Sequence, residues 1–99
     1  MSFTQIITVD GADDGTLHTL LAKWDAEQAG VAPGYRGSRV LSDDAQGRHI
    51  IEVDFSSEEE AQRNNDRAAT REWAEQLHQV ITGQPVYTDL REVCSTYER

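Results

Sequence analysis

Hydrophobic and polar residues alternate along four segments of the chain, and this alternation predicts four strands. The first strand is predicted over residues 3–9, where apolar side chains recur at every second position. Two more are predicted over 35–41 and 49–55, separated by the turn sequence DAQG at 44–47, which favours a hairpin. A fourth is predicted over 85–93, where a leading proline occupies the position at which a missing N–H does least harm.

Between the first two strands, apolar residues follow helical spacing. The predicted stripe comprises Leu17, Leu20, Leu21, Trp24 and Gln28. Asp13 and Asp14 are suited to its start, and Gly30 to its end.

A second helical segment is predicted from Ser57 to Thr82, with Gly83 ending it. Its first turn contains three glutamates, which favour the positive end of a helix. The run Asn64-Asn65-Asp66 consists of weak helix formers, so the pattern leaves open whether this helix continues or breaks there.

The order strand, helix, strand, strand, helix, strand is that of the ferredoxin-like β-α-β-β-α-β fold. The sequence therefore predicts one α+β domain over residues 1–99, in which two helices cover one face of a four-stranded antiparallel sheet.

For the hairpin we expect a three-residue loop, with Asp44 opposite Arg48 and Leu41 opposite Ile51. This register places alternate residues of both strands on the helix-facing side: Tyr35, Gly37, Arg39, Leu41, His49, Ile51, Val53 and Phe55. The opposite side then carries a mixture of apolar and charged residues: Arg36, Ser38, Val40, Ile50, Glu52 and Asp54. Such a mixture is typical of an interface, and it predicts a homodimer.

Composition and charge indicate which classes of binding partner the protein can have. Hydrophobic residues make up only 37% of the chain, so a protomer would gain from a partner's surface. The formal charge of -9 repels phosphate backbones and anionic bilayers, so we expect neither nucleic acid nor membrane as a partner. Residues 1–10 show no signal-peptide pattern and there is a single cysteine, which favours a cytoplasmic location.

Three stretches resemble the antibiotic-biosynthesis-monooxygenase-like family of dimeric α+β barrels. They are GYRGSRVLSDDAQGRHIIEVDFSSEEEAQRNN, ATREWAEQL and GQPVYTDLREV. The resemblance implies two protomers whose sheets close into a barrel, and a pocket between sheet and helices in each. It also implies oxidation of aromatic, polyketide-like molecules without metal or flavin, by asparagine, tryptophan and arginine side chains. Asn64 or Asn65, Trp73 and Arg91 match those residue types here.

Further candidates follow from the expected faces of the elements. Arg39, on the predicted helix-facing side, would stabilise a developing oxyanion, although a charge there more often has a structural partner. Tyr35 could donate a phenolic hydrogen bond into the pocket or point to water. His49 could act as a base near neutral pH, although its place beside the loop favours a solvated side chain. Trp73 also fits plain core packing, and the asparagine pair fits a cap or turn.

The predicted catalytic residues are therefore Arg39, Trp73 and Asn65, and the predicted ligand-binding residues are Tyr35, His49, Asn64 and Arg91. No histidine pair has metal-ligand spacing, no histidine lies on an apolar helical stripe, and there is no Gly-rich phosphate-binding loop. We therefore expect no metal, haem or flavin cofactor. Two functions remain open: a cofactor-independent oxygenase, and a non-catalytic dimeric module that binds a small ligand or assists another enzyme.

Overall fold

The predicted alternation forms one antiparallel sheet, in a computed structural model that describes residues 2–97. Its four strands are β1 (Phe3–Asp10), β2 (Tyr35–Asp43), β3 (Arg48–Phe55) and β4 (Thr82–Arg91), in the spatial order β2-β3-β1-β4. Three helices connect them: α1 (Asp14–Gln28), α2 (Glu58–Asn65) and α3 (Ala68–Val80). The ferredoxin-like α+β fold is thus confirmed, with the second predicted helix divided in two.

All three helices pack on one side of the sheet, which we call the covered face. The strands contribute Phe3, Ile7, Val9, Ile51, Val53 and Phe55 to its core. The helices contribute Leu17, Leu21, Ala61 and Leu77. Because side chains of a strand alternate between faces, the apolar positions that predicted the strands are the ones this core buries.

Local hydrogen bonds fix where the helices begin. The Asp13 carboxylate accepts from the Thr16 backbone N–H at 2.7 Å, which satisfies a free donor at the start of α1. At the start of α2, the Glu60 backbone N–H donates to Ser57 Oγ at 3.2 Å, and the Ser57 hydroxyl donates to the Glu60 carboxylate at 3.1 Å. α3, in contrast, follows Arg67 without any side-chain cap.

The hairpin register differs from the predicted one by one residue. Asp43 pairs with Arg48 and Leu41 with Ile50, so the loop contains four residues rather than three. A β-bulge compensates at the other end of β2, where Arg36 and Gly37 together oppose Asp54. Gly37 has a φ of 152°, which favours glycine at that position.

This bulge reverses the predicted faces over most of β2. Gly37, Arg39 and Leu41 lie on the uncovered side, whereas Ser38 and Val40 face the helices. Tyr35 precedes the bulge and keeps its predicted position on the covered face, opposite Phe55. The strict alternation assumed for the sequence prediction could not include the extra residue.

The second helix and the fourth strand also meet earlier than predicted. α3 ends at Val80 and β4 begins at Thr82, so Gly83 lies inside the strand and does not terminate the helix. Pro85 is likewise internal, at an irregular pairing between β1 and β4. β4 is an edge strand, and an edge tolerates a proline that cannot donate to a neighbour.

The other side of the sheet, which we call the open face, is free of helices. Apolar side chains there alternate with polar ones on all four strands: Ile6, Leu41, Ile50, Val86 and Leu90 among Thr4, Thr8, Arg39, Glu52, Asp54 and Thr88. Leu41, Val86 and Leu90 are 40%, 59% and 49% exposed. This composition matches the interface-like face that the sequence predicted, although the membership of β2 is different.

Candidate functional site

A small cavity of about 60 Å³, which we call the inner cavity, lies between the covered face and the helices. Most of its wall is apolar: Ile7, Leu21, Trp24, Val53, Trp73 and Ala74. Its polar lining consists of uncharged groups only, from Gln5, Asn64, Asn65, Thr70 and Tyr87. The cavity therefore suits a neutral, largely apolar ligand with one or two hydrogen-bonding groups.

The break between α2 and α3 brings three predicted residues to this cavity. Asn64 and Asn65 end α2, and Trp73 lies in the second turn of α3. Asn64 is almost fully buried, and its amide oxygen accepts from an Arg67 guanidinium nitrogen at 3.2 Å. In a continuous helix, the helical repeat alone would fix the directions of residues 64 and 73. Because the helix breaks between them, both side chains can face the cavity.

Two amides close one side of the cavity. Gln5 lies on the covered face of the central strand β1, and its Nε2 donates to the Asn65 side-chain oxygen at 3.1 Å. Asn65 is exposed, so this hydrogen bond joins the sheet to α2 at the cavity's solvent side. Each amide retains further hydrogen-bonding capacity that a ligand could use.

The Thr70 hydroxyl is a buried polar group that also lines the cavity. Its Oγ1 is inaccessible to solvent and has no hydrogen-bond partner among the described residues. Leaving such a group unpaired costs free energy, so a native structure usually has a reason for it. A ligand oxygen in the cavity would supply the missing partner.

A row of aromatic rings links the cavity to the edge of the sheet. Trp73 and Trp24 have ring centroids 6.1 Å apart, Trp24 and Tyr35 6.3 Å, and Tyr35 and Phe55 6.2 Å. Trp73 is half-buried, and its Nε1 donates to the Leu20 backbone carbonyl at 3.3 Å. It thus combines the two predicted environments, core packing and pocket wall.

Tyr35 lies on the covered face as predicted, yet its hydroxyl is used within the protein. It donates to the Asp25 carboxylate at 2.7 Å and shares a hydrogen bond of 2.9 Å with Ser38. Burial, together with the Asp25 hydrogen bond, raises the pKa of Tyr35 to about 12. These contacts join α1 to β2. The Tyr35 ring contacts Trp24, and it is Trp24 that lines the inner cavity.

The predicted position of Arg39 is wrong. Because of the bulge in β2, its side chain lies on the open face, where it is 60% exposed and forms an ion pair with Glu52 on β3. Hydrogen bonding to Glu52 raises the pKa of Arg39. Arg39 therefore has the structural partner that was the alternative reading, and its side chain is separated from the inner cavity by the sheet.

His49 is on the covered face as predicted, but it is buried rather than solvated. Its Nε2 lies 2.6 Å from an Asp14 carboxylate oxygen, and its Nδ1 has no partner among the described residues. The pair lines a separate cleft of about 470 Å³ between α1 and β2, with His18, Ser38 and Ser42. His49 and the asparagine pair are thus in different cavities.

Arg91 occupies the last position of β4, opposite Phe3, and is exposed. Its side chain is on the covered side. Tyr87, four residues earlier on the same strand, is the β4 residue that lines the inner cavity. Burial raises the pKa of Tyr87, although the residue is still 52% exposed. The structure therefore brings Trp73, Asn64 and Asn65 together, and leaves Tyr35, Arg39, His49 and Arg91 outside that group.

Three of the polar lining residues were not predicted as site residues from the sequence: Gln5, Thr70 and Tyr87. Gln5 had a recognisable signal, because it is the one polar side chain among the covered-face positions of β1 that precede Asp10. Thr70 also had one, because it lies three residues before Trp73 and therefore on the same side of a helix. Tyr87 depended on the register of β4, which the sequence left undetermined.

No cluster of three or more histidine, cysteine, aspartate or glutamate residues within residues 2–97 could hold a metal ion. None of the helices described there has the length and apolar character needed to span a membrane.

The fold is the one found in structures of antibiotic biosynthesis monooxygenases, the class that the sequence resembles. Among them is a candidate enzyme of this class from Nitrosomonas europaea, with a TM-score of 0.69 and 15% identity over 93% of this chain and 90% of that one. No protein-family model and no curated protein matches the sequence. The likeness is therefore one of structure.

Two similar structures come from Streptomyces. The monooxygenase of the ActVA-Orf6 gene of Streptomyces coelicolor, in complex with nanaomycin D, has a TM-score of 0.75 and 15% identity, over 99% of this chain and 93% of that one. SnoaB of Streptomyces nogalater, described as a cofactor-independent oxygenase, has a TM-score of 0.71 and 17% identity, over 98% and 96%. At these identities the comparison establishes the fold alone.

Proposed function

We propose that this protein binds an aromatic, polyketide-like molecule in the inner cavity and oxidises it with dioxygen without a cofactor. The observation that carries the proposal is the convergence of Trp73, Asn64 and Asn65 on one apolar cavity between sheet and helices. The similar structures support it, because one contains nanaomycin D and another is described as a cofactor-independent oxygenase.

The chemistry requires a substrate that can itself supply electrons to oxygen. An enolisable ring CH₂ would lose a proton to give an enolate, which adds dioxygen to form a hydroperoxide. Loss of water then leaves a ring carbonyl, so one oxygen atom enters the substrate and the other leaves as water. The protein's part is to orient the substrate and to stabilise the enolate oxygen with fixed donors.

Among the described residues, hydrogen-bond donors that line the cavity and could stabilise this oxygen are the side-chain amides of Asn64, Asn65 and Gln5 and the hydroxyl of Thr70. Arg39, the donor expected from the sequence, could serve only a ligand on the open face. We therefore assign the enolate-stabilising role to Asn65 and Thr70, and the role of an aromatic wall that stacks on the substrate to Trp73.

A second function, ligand binding without catalysis, is favoured by one specific observation. Among the described residues, those that line the inner cavity supply uncharged polar groups, and none supplies the buried guanidinium that was expected to stabilise an oxyanion. A neutral cavity binds a phenolic ligand without activating it, so the same site could serve a carrier or accessory module.

Oxygen consumption distinguishes the two functions. Purified protein is incubated with an enolisable anthrone, a chelator and no added flavin or haem, and oxygen uptake is compared with the spontaneous reaction. The oxygenase proposal expects stimulated uptake that Asn65→Ala lowers about a hundredfold, the effect typical of one lost oxyanion donor. Uptake equal to the spontaneous rate, with retained anthrone binding, would identify the binding module.

Three further assignments are part of the proposal. We infer a homodimer joined through the open face, because its exposed Leu41, Val86 and Leu90 would otherwise contact water. We also keep the expectations of a single domain over 1–99 and a cytoplasmic location. Sedimentation at micromolar concentration should give twice the protomer mass of 11.1 kDa.

A further inference from the structure

The inner cavity is too small for the ligand class proposed above. Its volume is about 60 Å³, whereas pockets for drug-sized organic ligands usually measure about 300–1,000 Å³. One aromatic ring would already fill it. If a fused-ring molecule binds here, one wall of the cavity must therefore move.

A second cavity of about 60 Å³, which we call the outer cleft, lies on the other side of two of these wall residues. It is between α1 and α3, and its lining includes Lys23, Gln28, Ala69 and Gln76. Trp24 and Trp73 line both the inner cavity and the outer cleft. Both tryptophans therefore lie between the two cavities, and displacement of an indole would change the space available in each.

Trp73 is the less constrained of the two. Trp24 is only 7% exposed and its ring contacts both Tyr35 and Trp73. Trp73 is half-buried, and a single 3.3 Å hydrogen bond to the Leu20 carbonyl orients its indole. The helix that carries it starts at Ala68, three residues after α2 ends, and it starts without a side-chain cap.

We propose that Trp73 determines the size of ligand that the site accepts. In the structure its indole lies between the inner cavity and the outer cleft. When a fused-ring ligand enters, the indole turns into the outer cleft and leaves its place to the ligand, so that the inner cavity is enlarged. The inference rests on the proposed binding of aromatic ligands, but not on the proposed oxidation.

Binding of phenols of increasing size tests this role. Phenol, 1-naphthol and 1-hydroxyanthraquinone are titrated against the protein and against Trp73→Ala, with calorimetry or fluorescence as the readout. We expect the three-ring compound to bind Trp73→Ala at least ~10-fold more tightly, while phenol changes by less than ~3-fold, since only the larger ligand needs the additional space. Glu75→Ala is the control: this residue is exposed on α3 and lines neither the inner cavity nor the outer cleft, so the substitution should leave all three affinities unchanged.

Fluorine NMR follows the indole directly in the unmodified sequence. The chain has two tryptophans, so labelling with 5-fluorotryptophan gives two signals, and Trp24→Phe assigns them. We expect 1-naphthol to shift the Trp73 signal, because the hydrogen bond from the indole to the Leu20 carbonyl is lost. Phenol should leave the Trp73 signal nearly unchanged. This measurement does not depend on whether Trp73→Ala folds, and Trp73→Phe provides a milder variant for the titrations.

The outcomes are distinct. Equal affinities in the protein and both Trp73 variants, or a Trp73 signal that ignores 1-naphthol, would overturn the size-determining role. Failure of all three phenols to bind either form would overturn it together with the proposed ligand class. Size-dependent binding with no stimulated oxygen uptake would support the role of Trp73 while refuting the oxygenase, because no turnover enters these measurements.

Discussion

The two faces of the sheet are built from the same four strands and have opposite relations to solvent. On the covered face, Phe55 is completely buried and Ile51 is 1% exposed. On the open face, some strands have as many apolar residues as they have on the covered face, yet Leu90 is 49% exposed. Charged residues lie between these apolar residues. The covered face is complete within one chain, whereas the open face has the composition of a surface that a partner covers.

This difference separates stability from function. Residues that hold the protomer together lie under the helices, and the inner cavity is an unfilled part of the same layer. The open face contributes little to folding of the protomer, and in the proposed homodimer its energetic role is in association. Substitutions on the two faces should therefore affect different measurements.

The largest expected effect is on the covered face. Phe55→Ala should lower the free energy of unfolding by about 3–5 kcal/mol, because it leaves a cavity in the core. Leu90→Ala, a comparable truncation on the open face, should lower it by less than about 1 kcal/mol under conditions that keep the protein monomeric. Chemical denaturation measures both, and equal losses would abolish the distinction between the faces.

The second effect concerns association. Ile50 lies on the open face between Thr8 and Leu41, so Ile50→Asp would place an unpaired charge in the proposed dimer interface. We expect the dimer dissociation constant to rise at least about 100-fold, as for an interface residue at a hot spot. Val31→Asp, at a 63% exposed site in the loop after α1, is the control and should leave the dimer intact. A monomeric unmodified protein would remove the basis of the comparison.

The third effect distinguishes the cavity from the core that surrounds it. Thr70→Val keeps the side-chain shape and removes a buried hydroxyl that lacks a partner, so stability should stay constant or rise by up to about 1 kcal/mol. Affinity for 1-naphthol should fall about 10-fold, the value of one hydrogen bond. Thr19→Val, whose hydroxyl donates to the Gly15 carbonyl on exposed α1, should leave affinity unchanged. Unaltered 1-naphthol affinity in Thr70→Val would mean that the hydroxyl does not contact the ligand.

The smallest effect appears at alkaline pH, at the edge of the covered face. The pKa of Tyr35 is raised to about 12 from an ordinary 10.0, chiefly by burial. The stabilisation is therefore fully present below pH 10 and is lost as the pH rises through 12. Solvent screening of the partly exposed ring limits the loss to about 1 kcal/mol. Denaturation midpoints between pH 9 and 12 should fall more steeply for the protein than for Tyr35→Phe, and parallel curves would contradict the assignment.

The sequence was sufficient to predict the fold because its signals are local and periodic. Alternation defined the strands, the stripe from Leu17 to Gln28 defined α1, and Asp13 caps it in the structure as its position suggested. The weak helix formers at 64–66 marked the place where α2 and α3 separate. Each of these features depends on neighbours within a few residues.

The site was less predictable because it depends on which face of a strand or helix each residue occupies, and on tertiary packing. Arg39 was assigned to the covered face on the assumption of unbroken alternation, and one extra residue in β2 reversed it. His49 was expected near solvent because it follows the hairpin loop, yet the start of α1 covers it and Asp14 binds its ring. Trp73, Asn64 and Asn65 meet only because α3 restarts at a new angle after the break. No local pattern contains that angle.

The bulge at Arg36 and Gly37 has a consequence for how this protein could change over generations. Because these two residues share one position opposite Asp54, deleting one of their codons would remove the bulge and leave Tyr35, Ser38 and Arg39 on their present faces. A deletion between residues 38 and 42 would instead turn the side chains on one side of it to the opposite face of the sheet. The bulge is thus the one described place in β2 where the strand can lose a residue without exchanging the residues of its two faces.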